Sequence, residues 1–259
     1  MDTRHDETCQ VWDWKLIMPS DIPPITFGTF FHIYNRGNNG ENIFVQEKNY
    51  AYFMELWWKH TYPVFETWAY GLLRNHFHVA GYVKDEIPDL TGLTEALSNR
   101  DTGADRDAFP SGTRGDLSGL TGDSVNQNSR ADLNVRLSDS RGDQTGLSKP
   151  FSNFFNAYAR GVNIATGRTG ALFERPFNRI PVTDEKYLMR LIVYIHQNPQ
   201  KHKFVTDFRD WNYSSYHELI GNMPTRLQRE KVLRLFGSRA DFIRIHQEIQ
   251  PLQDVEDED

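Results

Sequence analysis

The sequence predicts an α+β fold in which helices pack on one face of an antiparallel sheet. Short runs with alternating apolar side chains predict strands, and longer runs with apolar side chains three or four residues apart predict helices. These predicted strands and helices alternate unevenly along the chain, without the regular repeat of a parallel α/β protein. Their order fits the ferredoxin-like arrangement.

The predicted elements follow one another as short, well-separated segments. They are a strand at 27–35, a helix at 47–61, strands at 65–73 and 76–84, a helix at 149–165, a short strand near 178–182 and a helix at 184–198. The first helix carries Trp57 and Trp58 at helical spacing with other aromatics, so we expect core packing, with base stacking as the alternative. Pro199 disfavours helical geometry at Asn198, which predicts that the last helix ends there.

Composition limits the class of protein. With 259 residues and a mean hydropathy of −0.64, the chain can bury one core of moderate size, and part of it must be solvated. The single cysteine, Cys9, excludes an internal disulfide, and no apolar run approaches the ~18 residues of a membrane span. The first residues lack the basic and apolar regions of a signal peptide, so we expect a cytoplasmic protein.

The net charge of −6 is unevenly distributed along the chain. Basic residues outnumber acidic ones between 149 and 249, whereas 85–148 and 250–259 are acidic. Binding to a polyanion depends on local charge, so the negative total does not exclude a nucleic acid partner.

His76 and His78 flank Phe77 in a predicted strand. Strand alternation places both imidazoles on one face, and two neutral imidazoles form half of a divalent metal site. A single His-x-His is weak evidence, because paired surface histidines on a half-buried strand give the same pattern.

Tyr194 and Asn198 lie four residues apart in the final turn of the predicted helix at 184–198. That spacing places a phenol and an amide oxygen on the same helix face. The alternative is that Tyr194 is an aromatic residue at the edge of the core and Asn198 a C-terminal cap.

Four short motifs follow one another along the chain. They are Phe31–Asn38, Arg74–His78, Gly170–Phe177, and Tyr194–Pro199 followed by Lys201–Val205. Together they resemble the REP-associated tyrosine transposases, which belong to the HUH superfamily of single-tyrosine nucleases. The resemblance extends from about Thr26 to about Tyr216 and is interrupted by one long insertion, and four motifs in the right order are far more specific than any one of them.

The resemblance implies an HUH endonuclease core with Tyr194 as the nucleophile and with His76, His78 and Asn198 as ligands of Mg²⁺ or Mn²⁺. It implies a transposase that cleaves single-stranded or hairpin DNA and rejoins strands, because a phenol can hold a 5′ phosphate covalently. By analogy, two subunits cooperate as a homodimer when two cuts are needed. Two other functions stay open, a hairpin-binding protein that does not cleave and a metal-dependent phosphodiesterase that uses water.

Further polar residues near the motifs are candidates for contact with DNA, for nucleophilic attack or for proton transfer. The DNA-contact residues we predict are Arg36, Asn38, Arg74, Arg168, Arg175 and Arg179. The loop Arg36–Gly40 could expose backbone N–H groups to phosphate, although an ordinary turn has the same composition. Tyr158 is a second possible nucleophile without an amide or carboxylate four residues on. His196 and His202 could act as proton carriers. The alternative is that they are simply solvent-exposed, which is commoner for histidines near a helix end.

The chain divides into six segments. They are an N-terminal extension (1–25), the two halves of the transposase-like domain (26–84 and 149–216), an insertion (85–148), basic C-terminal helices (217–250) and an acidic tail (251–259). The insertion is rich in small polar residues and carries Phe109 as its single aromatic, which predicts a disordered spacer, with a tether to DNA or a partner as the alternative. The C-terminal helices, with capping signals at Thr225 and Ser238, either grip DNA or cap the fold.

Overall fold

The computed structural model describes residues 22–86, 146–174 and 176–249. The acidic tail, most of the predicted insertion and most of the N-terminal extension lie outside these residues, although Leu147, at the end of the predicted insertion, is a buried core residue. Within the described ranges, no helix combines the length and apolar character that crossing a membrane requires.

The centre of the fold is a four-stranded antiparallel sheet. Its strands are β1 (Phe30–Arg36), β2 (Phe65–Leu72), β3 (His76–Val83) and β4 (Asn178–Val182). They are ordered β2-β3-β1-β4, which places the histidine-bearing strand β3 in the interior of the sheet. Helix α1 (Lys48–Thr61) joins β1 to β2, and helix α2 (Lys149–Thr166) precedes β4. This βαββαβ order is ferredoxin-like, and the predicted α+β class is confirmed.

The two faces of the sheet pack against different helices. On β3, Phe77 and Val79 join the apolar cluster of α1 and α2, whereas Ala80 joins the cluster of the helix that follows β4, α3 (Glu185–Lys201). Alternate residues of a strand point to opposite faces, so α3 lies across the face opposite α1 and α2. The prediction of helices on one face holds for α1 and α2 and is wrong for α3.

Helix α3 is longer than predicted. The side chain of Asp184 caps its start by accepting a hydrogen bond from the backbone N–H of Tyr187 at 2.8 Å. At the other end the helix continues through Pro199 to Lys201, because the backbone N–H of His202 still donates to Asn198 O at 3.0 Å. Pro199 removes one hydrogen bond of the last turn without ending the helix.

Three short helices follow and cover α3. They are α4 (Tyr216–Ile220), α5 (Arg229–Phe236) and α6 (Arg239–Glu248). Ser238 caps α6 as predicted, accepting a hydrogen bond from the N–H of Asp241. Thr225 does not cap α5, which begins four residues later; its hydroxyl accepts instead from the N–H of Leu227. Buried Val232, Phe236 and Phe242 share an apolar cluster with α3, so α5 and α6 pack against it, and a grip on DNA stays a prediction.

Candidate functional site

The strand pairing gathers three histidines on the α3 side of the sheet. In the antiparallel register of β1 and β3, Tyr34 lies opposite His78 and His32 opposite Ala80. The ring centroids of His76 and His78 are 5.2 Å apart, and those of His32 and His78 are 5.1 Å apart. The histidine pair of the sequence therefore shares one face, as strand alternation predicted, and His32 joins it from the neighbouring strand.

Helix α3 brings its phenol and amide directly over these imidazoles. The ring centroid of Tyr194 is 5.5 Å from that of His78, and the Asn198 Oδ1 atom is 3.0 Å from His76 Nε2. Gly71 on β2 permits this close approach, since a Cβ atom there would lie 2.7 Å from the carbonyl oxygen of Ile195. The four residues predicted from two distant motifs thus meet in one place.

The hydrogen-bonding geometry of His76 matches that of a metal ligand. Its Nδ1 lies 2.8 Å from Asn75 Oδ1, while its Nε2 lies 3.0 Å from Asn198 Oδ1. A neutral imidazole has one N–H and can donate to only one of these two oxygens. If Nδ1–H donates to Asn75, the lone pairs of Nε2 and of the Asn198 oxygen converge on the same space.

A divalent cation fits that space. Two ligands at the ~2.1 Å distance of Mg²⁺ in adjacent octahedral positions lie about 3.0 Å apart, which is the separation of His76 Nε2 and Asn198 Oδ1. Asn198 is fully buried, and its Nδ2 has no hydrogen-bond partner among the described residues. Two imidazoles and one amide leave open positions for water and phosphate, as a catalytic rather than a structural site requires.

The metal itself stays a prediction. Among residues 22–86, 146–174 and 176–249, no group of three or more His, Cys, Asp or Glu side chains forms a metal-binding cluster. The proposed set differs from such a cluster because its third member is an amide.

His32 lies in the first of the four motifs but was not predicted as a site residue. Its Nε2 lies 2.9 Å from His78 Nδ1, so one of these nitrogens donates a hydrogen bond to the other. Burial lowers the pKa of His32 to about 3, and burial with the neighbouring histidines lowers the pKa of His78 well below its usual range. Both rings are therefore neutral at pH 7. If His78 donates from Nδ1, its Nε2 keeps a lone pair, as a metal ligand oriented by a neighbour would.

Two basic side chains flank the phenol and the histidines. The Lys201 ammonium lies 5.0 Å from the ring centroid of Tyr194, and the exposed His202 ring lies 5.0 Å from that of His76. The other suggested proton carrier, His196, is fully buried, so the expectation of a solvent-exposed histidine is wrong there. The buried Lys201 ammonium thus places a positive charge beside the phenol.

Three of the predicted DNA-contact residues lie at the same end of the sheet as His76. Arg36 pairs with His76 across β1 and β3, and its side chain is exposed beside Glu174 at 3.2 Å. Arg74 is exposed two residues before His76. Asn38 lies in the adjoining turn, where its backbone N–H donates to Leu172 O.

The remaining predicted contact residues are placed differently. Arg168 forms an ion pair with Glu41 and donates to Asn163 Oδ1 at 3.0 Å. Arg179 is only 5% exposed, and its Nε–H donates to Pro23 O at 2.6 Å, so it packs against the chain before β1. Arg175 lies outside the described residues. Contact of these residues with DNA stays a prediction.

The second tyrosine considered as a nucleophile lies on the other side of the molecule. Tyr158 is fully buried in the cluster of α1 and α2, where its hydroxyl donates to Ile43 O at 2.8 Å. The same cluster holds Trp57, whose indole N–H donates to Thr67 Oγ1 at 3.0 Å. Both aromatics are core residues.

Comparison with known proteins finds one broad similarity. A solved structure described as a REP-associated tyrosine transposase bound to a REP hairpin is similar to this chain at 14% sequence identity, with a TM-score of 0.46 over 78% of this chain and 84% of that one. No family model matches the sequence. No curated protein matches it either.

Proposed function

We propose that this protein is a single-stranded DNA nuclease and strand transferase that uses Tyr194 as its nucleophile. The observation that carries the proposal is the meeting of Tyr194 and Asn198 on α3 with His76 and His78 on β3. A phenol next to two imidazoles and an amide oxygen is suited to phosphoryl transfer to the protein. The resemblance of the four motifs to the REP-associated tyrosine transposases favours a substrate in which the single strand adjoins a hairpin.

In the proposed reaction the Tyr194 oxygen forms a bond to the scissile phosphorus, and the bond between phosphorus and the 3′ oxygen breaks. The phenol loses its proton to solvent or to the exposed His202, and the departing 3′ oxygen takes up a proton. The products are a 5′-phosphotyrosine and a free 3′ hydroxyl. Attack by a 3′ hydroxyl on the same phosphorus reverses the step and joins strands.

The residues of the site supply charge and orientation. A divalent cation held by His76, His78 and Asn198 would act as a Lewis acid on the scissile phosphate. Lys201 adds a positive charge beside Tyr194. Arg36 and Arg74, both exposed at the end of the sheet that holds His76, would contact phosphates of the bound strand, which fixes the position of the strand without reading its sequence.

The proposal is tested by determining which end of the cut DNA is attached to the protein. The protein is incubated with Mn²⁺ and a pool of single-stranded DNAs in which a hairpin is flanked by random sequence, and is then denatured. We expect a 3′ label to remain on the protein and a 5′ label to be released, and we expect no adduct with Tyr194→Phe.

A matched variant and two other outcomes complete the test. Tyr158→Phe should form the adduct as the parent protein does, because Tyr158 is buried on the opposite side of the sheet. DNA cut without an adduct would indicate a phosphodiesterase that uses water. Hairpin binding without any cut would indicate a binding protein.

A further inference from the structure

A line of buried polar side chains runs through the apolar cluster behind α3. We name Ser215, His196 and His246 the histidine chain. The Ser215 Oγ atom lies 2.7 Å from His196 Nε2, and His196 Nδ1 lies 2.8 Å from His246 Nε2. All three residues are fully buried. Buried polar groups destabilise an apolar cluster unless each of them forms a hydrogen bond. The presence of the histidine chain in this cluster therefore needs a physical reason.

The hydrogen bond at the His246 end of the histidine chain determines the direction of all the others. His246 Nδ1 lies 2.8 Å from the carbonyl oxygen of Phe242, which can only accept, so Nδ1 carries the proton. His246 Nε2 is then an acceptor, and His196 donates to it from Nδ1. His196 Nε2 must in turn accept from the Ser215 hydroxyl, which thereby gives up its longer contact of 3.2 Å to Tyr70 O.

Both ends of the histidine chain are anchored to other elements. The backbone N–H of Tyr70, on the edge strand β2, donates to Ser215 Oγ at 2.9 Å. Next to His196 on α3, the Gln197 amide donates to the carbonyl oxygens of His246 and Ile249, both at 2.8 Å. Helix α3 is therefore tied to the sheet on one side and to α6 on the other.

The position of His196 on α3 determines which side of the helix these hydrogen bonds hold. His196 lies two residues from both Tyr194 and Asn198, which corresponds to about 200° around the helix axis. The histidine chain therefore holds the side of α3 opposite the site. Apolar packing is non-directional and permits small rotations of a helix, whereas hydrogen bonds of fixed direction do not.

We propose that His196 and His246 are positioning residues, through which α6 fixes the rotation of α3 that directs Tyr194 and Asn198 towards the histidines of β3. The proposal rests on the proposed function only for the chemistry that the positioned atoms perform. It assigns α6 a part in catalysis although that helix contributes no atom to the site.

The first test needs no DNA. His246→Phe keeps an aromatic ring among Phe236 and Phe242 but removes the acceptor for His196, while His246→Gln retains an oxygen acceptor and an N–H donor. We expect amide hydrogen exchange in the last turns of α3 to be at least about tenfold faster in His246→Phe and near the parent rate in His246→Gln. The control is Val79→Ala, which weakens the opposite cluster, compared at a temperature equally far below its Tm.

The second test separates binding from chemistry. In single turnovers at saturating hairpin DNA, we expect His246→Phe to form the Tyr194 adduct about 100-fold more slowly with an unchanged Kd for DNA, since misplacement of a reacting group by about 1 Å has this effect. Equal exchange in His246→Phe and Val79→Ala, or an unchanged adduct rate, would overturn the proposal. A parent protein that forms no adduct would contradict the proposed function, while the exchange comparison would still decide the positioning role.

Discussion

The two faces of the sheet bury different kinds of side chain. The face under α1 and α2 packs phenylalanines and tryptophans edge to face, such as Phe53 against Phe154 with centroids 4.8 Å apart. The α3 side of the sheet holds four of the five buried histidines in the described residues, with His32 and His78 under α3 and His196 and His246 behind it. One face supplies apolar stabilisation, and the other places polar groups where apolar side chains would be more stable.

This difference between the two faces indicates that hydrogen bonds determine the geometry of the site. A polar group under α3 lowers stability unless its partner is in place, so each histidine there has a bonded neighbour. Substitutions on the two faces should therefore separate activity from stability.

The largest effect should come from His78→Ala on the α3 face. Loss of this imidazole removes a ligand of the proposed cation, so we expect the rate of adduct formation to fall about a thousandfold, which corresponds to roughly 4 kcal/mol. Hairpin binding, measured by fluorescence anisotropy, should persist. A chelator should reduce the parent protein to the same rate, and unchanged cutting under chelation would leave the histidines with a structural role alone.

The adjacent residue on the other face should show the converse. Val79 is fully buried under α1 and α2, so Val79→Ala should lower the free energy of unfolding by about 2 kcal/mol, as measured in urea. Its adduct rate at 25 °C should equal that of the parent. A large loss of activity would show that the two faces are not separable.

Acid should weaken the α3 face selectively. Burial lowers the pKa of His246 to about 4, below its ordinary value of 6.5, so the unfolded chain takes up the proton more readily than the folded one. The stability that neutral His246 contributes is complete above pH 6.5 and is lost as the pH falls towards 4, at roughly 1.4 kcal/mol per pH unit. In urea titrations between pH 7 and 5, His246→Gln should show a shallower dependence on pH, and equal slopes would contradict this.

The smallest effect should come from Tyr158→Phe. The variant keeps the ring but leaves Ile43 O without the hydroxyl that donates to it, at a cost of about 1 kcal/mol. We expect a lower Tm and an unchanged adduct rate. An adduct rate that fell with the hydroxyl would transfer the role of nucleophile to the α2 side.

Local sequence patterns predicted most of the elements, because each depends on residues close in the chain. The strand at 178–182 was predicted at its observed bounds, and the helix at 149–165 ends one residue later than predicted. The contact of His76 with Asn198 was expected from the resemblance of the motifs, because the spacing within one motif carries no information about its distance from another. The role of these residues in catalysis stays a prediction.

The remaining features depend on contacts between distant segments. His32 becomes a site residue only through the register of β1 with β3, which no local pattern encodes. His196 was expected at the surface because it is close to a helix end; it is buried because α6 packs over that end and Pro199 does not stop the helix. Arg179 has the charge expected of a DNA contact, but Pro23 O accepts its hydrogen bond.

The most direct measurement locates the nucleotide on the protein. The adduct formed with 3′-labelled DNA is digested with nuclease and trypsin, and the modified peptide is sequenced by mass spectrometry. Cleavage after Arg190 and Lys201 gives a peptide of residues 191–201, whose single tyrosine is Tyr194. We expect a nucleotide 5′ phosphate on that tyrosine, and a nucleotide on any other residue, or DNA cut with no modified peptide, would contradict the role of Tyr194 as nucleophile.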